Sequence, residues 1–118
     1  GPRVSPLTKH QDFHTGLTLA APINAVVIAP AAGTVLYAGP VPSKAGAAWR
    51  PLGTILVLAH GERIRTVFGH LEAVLVRPRQ RVHRGEPVAR VGKSGVVPSP
   101  RLEYEVWRLT NGRFRPVG

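Results

Sequence analysis

The chain has no cysteine and no methionine among its 118 residues. A disulfide scaffold, a cysteine-ligated zinc and thiol catalysis are thereby excluded. Acidic residues are scarce: six Asp and Glu stand against sixteen Lys and Arg, for a formal net charge of +10. Asp12 is the sole aspartate. No apolar run approaches the ~18 residues that a membrane span requires, and no signal peptide is visible. No stretch sustains a 3.6-residue period, and 12 Pro and 13 Gly argue against any long helix.

What is present suits one folded domain. Hydrophobic residues make up 43% of the chain and the mean hydropathy is +0.01, too apolar for a disordered polymer. The length allows one core and is short for two. Short apolar or alternating runs recur at 23–30, 33–39, 53–60, 63–71, 74–78, 86–92 and 102–109. They are rich in Val, Ile, Leu and aromatic residues and mostly end at Gly or Pro, as strands do. Gly61-Glu62 and Asn111-Gly112 fall between such runs and predict hairpin turns. The expected fold is all-β: an antiparallel sheet or flattened barrel-sandwich with little or no helix. Residues 39–52 form the longest stretch without strand character and carry Trp49, which predicts a loop beside any groove, or an ordinary connection with Trp49 packed down as a lid. Arg77, Arg79 and Arg81 alternate and would share one face if extended.

The basic excess is mostly arginine, 13 Arg to 3 Lys, and favours anionic partners. No aromatic residues interleave the arginines as base-stacking surfaces require, so nucleic acid is not expected. Ser94 lies in GKSG, which lacks both the G-x-S-x-G nucleophile frame and the spacing of a phosphate loop.

Three segments carry the chemistry. Residues 13–18 read FHTGLT, 68–71 read FGHL and 100–105 read PRLEYE. In order and spacing they resemble the H-x-G-x-D, Y-x-H-L and P-H-L-H-F-E signatures of the lysostaphin/LytM-type zinc endopeptidases of bacterial cell walls. The likeness extends to PAAGTVLYAG, GTILVLAHG and VHRGEPVARVGKSG, and so covers almost the whole chain. It implies a fold of the duplicated-hybrid-motif kind. It also implies that Gly1 to Gly118 is a single domain cut from a longer exported protein, extracytoplasmic in the periplasm or cell wall.

The ligands are where this chain departs from the resemblance. Thr18 stands where the family has its metal-binding Asp, Glu103 where it has its metal-binding His, and Arg101 where it has a catalytic His. His14 keeps a ligand position and His70 the Y-x-H-L position, while Glu105 matches a structural Glu. A catalytic zinc needs three protein donors and an open site for water. A hydroxyl is a poor donor, and a fixed guanidinium two residues from Glu103 repels a dication, by about 4 kcal/mol at 4 Å with an effective dielectric near 20. Glu103 is expected to pair instead with Arg101, Arg108 or a partner's cation.

The resemblance therefore implies a non-catalytic domain without zinc, like the inactive members of the EnvC and NlpD kind that bind and switch on cell-wall amidases. The expected partner is a protein such as an N-acetylmuramoyl-L-alanine amidase. It would be held in a groove of His14, Thr18, His70, Arg101, Glu103 and Trp49. Two alternatives remain open at this point. One is a variant zinc peptidase of peptidoglycan cross-bridges, using His14, Glu103 and a further ligand. The other is a peptidoglycan-binding or scaffold module.

Overall fold

Gly61 and the Asn111-Gly112 pair turn the chain as their sequence predicts. Gly61 adopts φ 75°, and Asn111 and Gly112 adopt φ 50° and 76°, the paired left-handed geometry of a two-residue hairpin. The computed structural model describes residues 3–4 and 17–117. Its strands are β1 (Arg3–Val4), β2 (Leu17–Ala20), β3 (Val26–Ile28), β4 (Gly33–Pro40), β5 (Thr54–His60), β6 (Ile64–Gly69), β7 (Leu71–Val74), β8 (Arg81–Val82), β9 (Pro87–Val91), β10 (Arg101–Thr110) and β11 (Arg113–Pro116). A single 3₁₀ turn at Arg50–Leu52 is the only helical element among the described residues.

Two sheets result. The larger runs β11-β10-β6-β5-β4-β8, with β2 also paired to β10, and the smaller runs β1-β3-β9-β7. Pairing is antiparallel throughout except between β1 and β3, which run parallel. The core fills the space between the sheets. Val27, Leu71, Val88 and Val91 face Val35, Leu56, Leu58, Phe68 and Leu102, all at most 1% exposed. Each such side chain contributes about 1.5–3 kcal/mol by leaving water. Tyr104 pairs in register with Phe68, and their rings sit 5.3 Å apart at 44°.

Burial pushes the Tyr104 phenol up from 10.0 to about 12. Because the folded value lies above the unfolded one, the neutral phenol's contribution is complete below pH ~10. It is lost as the pH rises towards the folded value. We expect urea midpoints to be independent of Tyr104 up to that point and to fall above it more in wild type than in Tyr104→Phe. Phenolate absorbance, followed in parallel, should assign the ionisation.

The structure amends several local expectations. The run 63–71 is not one strand: His70 adopts φ 63°, ends β6 and sends the chain into β7 of the other sheet. Histidine is one of the residues that tolerate this left-handed region. Residues 75–80 form a turn, with Arg79 at φ 75° and Gln80 N–H donating to the Arg77 carbonyl, so Arg77, Arg79 and Arg81 share no strand face. The short LTLA segment, too brief to stand out as a periodic run, forms β2 and proves central to the site.

Candidate functional site

β10 organises the site by alternation. Leu102 and Tyr104 point into the core, so Arg101, Glu103, Glu105 and Trp107 point to the sheet's outer face. β2 flanks one side of β10 and β6 the other. Glu103 is thereby in register with Thr18 across one pairing and with Gly69 across the other. Thr18 Oγ1 donates to Glu103 Oε1 at 2.7 Å. Two of the three positions that the sequence likeness assigns to metal ligands are thus bonded to each other.

Arg101 takes a different course. Its Nε donates to the Ser99 carbonyl at 3.3 Å and its second terminal nitrogen to Ser99 Oγ at 3.0 Å. The expected ion pair of Glu103 with Arg101 or Arg108 is not formed. The Thr18 hydroxyl is nearer in register, and Arg101 is drawn back over its own loop. His14 lies outside the described residues.

His70 follows Gly69 and is 5% exposed. Its backbone N–H donates to the Leu52 carbonyl at 2.7 Å, and its Nδ1 lies 2.9 Å from the Ser94 carbonyl oxygen. A carbonyl only accepts, so Nδ1 carries a proton and donates it to Ser94. Ser94 is the residue that the sequence supports neither as a nucleophile nor as part of a phosphate loop. Its hydroxyl accepts from Thr54 N–H at 3.0 Å and donates to the Leu71 carbonyl at 2.8 Å. The GKSG turn is therefore a clamp on His70, and a small hydroxyl residue between two glycines was its signal.

The glycines make the clamp possible. Gly53 and Gly95 adopt φ 68° and 83° where the 92–95 turn crosses the 3₁₀ turn. A Cβ on Gly53 would stand 2.7 Å from Ser94 Oγ, and one on Gly95 would overlap the Pro51 carbonyl oxygen.

The loop with Trp49 folds over the outer face, with Trp49 packed down as a lid. Trp49 stacks on Trp107, ring centroids 5.5 Å apart and 24° between planes. Leu52 lies against Gly69, where a Cβ would come within 2.9 Å of its Cδ2. Ile55 and Val67 are buried at 4% and 3% although they belong to the outer face. Trp107 Nε1 in turn donates to Glu105 Oε1 at 2.9 Å. The outer face thus offers a carboxylate-bearing strip along β10 with an aromatic step at one end and His70 at the other.

Two further described histidines lie elsewhere. His60 Nδ1 donates to the Ala32 carbonyl at 2.8 Å and its Nε2 lies 2.8 Å from Thr66 Oγ1, and His83 is exposed. Among the described residues no three His, Asp or Glu side chains gather as a metal-ligand group.

The two-sheet β fold and the histidine between β6 and β7 frame the strip along β10. The chain belongs to Peptidase family M23, whose model matches residues 12–116. It is 32% identical over 111 residues to the peptidoglycan DD-endopeptidase ShyA of Vibrio cholerae, covering 94% of this chain and 24% of that protein. It is 31% identical over 91 residues to the murein hydrolase activator NlpD of Escherichia coli, covering 77% of this chain and 22% of that protein. The chain thus spans about a quarter or less of these relatives. Among solved structures, a catalytic-domain mutant of the prophage-encoded M23 protein EnpA from Enterococcus faecalis superposes with a TM-score of 0.70 at 27% identity, covering 90% of this chain and 77% of that one. The relatives include both peptidases and an activator, so the family alone does not assign the activity.

Proposed function

We propose that this domain is a non-catalytic M23 module of the bacterial cell envelope, acting outside the cytoplasm. Its groove holds a segment of a protein partner and thereby regulates a cell-wall amidase. The observation that carries this reading is the Thr18–Glu103 hydrogen bond. A neutral hydroxyl occupies the place of a carboxylate ligand, and the one remaining carboxylate is already accepting from it. With Arg101 two residues along the same strand face, this donor set does not fit a catalytic zinc. No hydrolytic step is derived for it. The likeness to NlpD, named a murein hydrolase activator, supports the same reading.

The groove's chemistry suits a peptide of mixed charge. Glu103 and Glu105 each use one oxygen on a neighbour, Thr18 and Trp107, which leaves the other for a cation. The Arg101 guanidinium lies at the end of the same strip and suits a carboxylate. Trp49, half-buried on Trp107, gives the segment an apolar step to pack on. The test is a titration of the domain with a purified N-acetylmuramoyl-L-alanine amidase. Arg101→Glu should weaken binding by about 2 kcal/mol or more, roughly thirtyfold. Arg84→Glu, exposed on the far edge, should change it less than about threefold. Equal losses from the two variants would rule out the groove, and binding of peptidoglycan without any amidase would favour a wall-binding module.

The retained and anchored His70 favours one second reading, a variant peptidase, because its ring is held in place through Nδ1. Metal content and hydrolysis separate the two, as argued below.

A further inference from the structure

The strongest unassigned feature is cationic and lies away from the groove. The Asn111-Gly112 turn returns β11 alongside β10, setting Arg108 directly opposite Arg115 and Thr110 opposite Arg113. Arg108 is also in register with Ile64 of β6. These β10 positions continue the side of the sheet on which Leu102 and Tyr104 are buried, yet Arg108, Arg113 and Arg115 are exposed, beyond the cover of the smaller sheet. Arg63 completes the set: with Arg108, Ile64 and Leu109 it lines a shallow open cleft.

Like charges placed directly opposite in an antiparallel pair destabilise it. No carboxylate of the described residues engages any of these four arginines. Glu62, exposed in the turn before Arg63, is the one acid nearby in sequence. Strand spacing of about 5 Å and a two-residue rise of about 7 Å keep the arginines of β10 and β11 within reach of one another's ligands. Four guanidiniums with no acidic partner among the described residues hold a strong local field at one end of the sheet, and they suit an external counter-charge.

We propose that this arginine face rests on an anionic lipid surface, with its guanidinium groups binding headgroup phosphates. Three features favour a membrane over a soluble polyanion. The cleft is shallow and open rather than a channel that tracks a strand. Ile64, half-buried and in register with Arg108, gives the arginine face an apolar side chain that suits an interfacial contact. The nearest aromatic ring, Phe114, is in register with Leu109 on the other face and is covered there by the Arg65 guanidinium at 3.7 Å, so the arginine face has no stacking platform for bases. The site is separate from the groove, so neither reading depends on the other.

Vesicle co-sedimentation tests this. The protein should bind vesicles containing phosphatidylglycerol, not pure phosphatidylcholine, and binding should weaken with added salt. Arg108→Gln with Arg115→Gln should lower vesicle affinity by about fivefold per arginine, roughly twenty-five-fold in all. These exposed substitutions relieve a repulsion, so unchanged or raised thermal stability is expected alongside. Arg77→Gln with Arg84→Gln removes the same net charge elsewhere and should have less than a threefold effect. Equal losses from both pairs would show that only overall charge matters and would overturn the site. Binding of soluble polyphosphate with no vesicle binding would overturn the lipid assignment.

Discussion

Purified protein supplied with zinc should release no new amino termini from peptidoglycan or oligoglycine peptides, and should hold no stoichiometric metal. Restoring the donors should reverse the second result by a large factor. Thr18 and Glu103 are register partners whose side-chain oxygens already meet at 2.7 Å on the outer face. Asp at position 18 and His at position 103 would therefore reach a common point, and His14 is the third donor that the sequence likeness supplies. Combining Thr18→Asp, Glu103→His and Arg101→His also removes the fixed cation. Zinc affinity should then rise by on the order of a thousandfold or more, because each ligand adds directly to binding free energy. Isothermal titration with zinc, beside elemental analysis of the wild type, is the measurement. One tightly held zinc in the wild-type chain, or metal-dependent cleavage that His14→Ala abolishes, would replace the regulatory reading with the peptidase one. Failure of the triple variant to gain metal would show that positions 18 and 103 do not converge with His14.

The largest stability effect expected from a single small substitution is at Gly95. Alanine there meets two penalties at once. The backbone sits at φ 83°, and the added Cβ would overlap the Pro51 carbonyl oxygen and come within 2.8 Å of Gly53 N. Both obstacles are backbone, which cannot swing aside as a side chain would. The predicted loss is about 3 kcal/mol or more, equivalent to roughly 10–20 °C in melting temperature. Gly61→Ala is the control. It shares the positive φ, 75°, but meets nothing within 4 Å, so it should cost only about 1 kcal/mol. Because Gly95 adjoins the Ser94 carbonyl that anchors His70, nuclear magnetic resonance of the His70 ring should change in Gly95→Ala and not in Gly61→Ala. Equal melting temperatures for the two variants would mean that the crossing of the two turns carries no strain.

Most of the fold was legible because strand signals are local. β-branched runs closed by Gly or Pro placed β4, β5, β9 and β10 to within about a residue or two, and Asn111-Gly112 announced its hairpin. β2 was not legible. Four residues, Leu17–Ala20, are too few to show a period, and they are a strand only because β10 offers an edge for them to pair with. The break at His70 was hidden for a similar reason. Residues 63–71 read as one apolar run, while the switch between sheets depends on Leu52 receiving the His70 N–H and on Ser94 holding its ring. The Arg77–Arg81 alternation misled because a period of two describes a face only if the backbone is extended, and Arg79 at φ 75° is not.

The sequence by itself determined the all-β class, the family frame and the identity of the groups at the ligand positions: Thr18 for Asp, Glu103 for His and Arg101 for His. Those are statements of composition and order, and the linear chain holds them completely. The tertiary structure alone decided how the charges are spent. Glu103 meets Thr18 rather than Arg101 because β2 is in register with it, whereas Arg101 finds Ser99 two residues away. That the ring Trp49 covers is Trp107 was likewise decided by packing, because the loop settles where an apolar ring is exposed. Arg108 came to face Arg115 because a hairpin register sets opposite residues that are seven apart in sequence. Pairings of this kind depend on which strand lies beside which, a property that long-range packing fixes and local sequence does not encode.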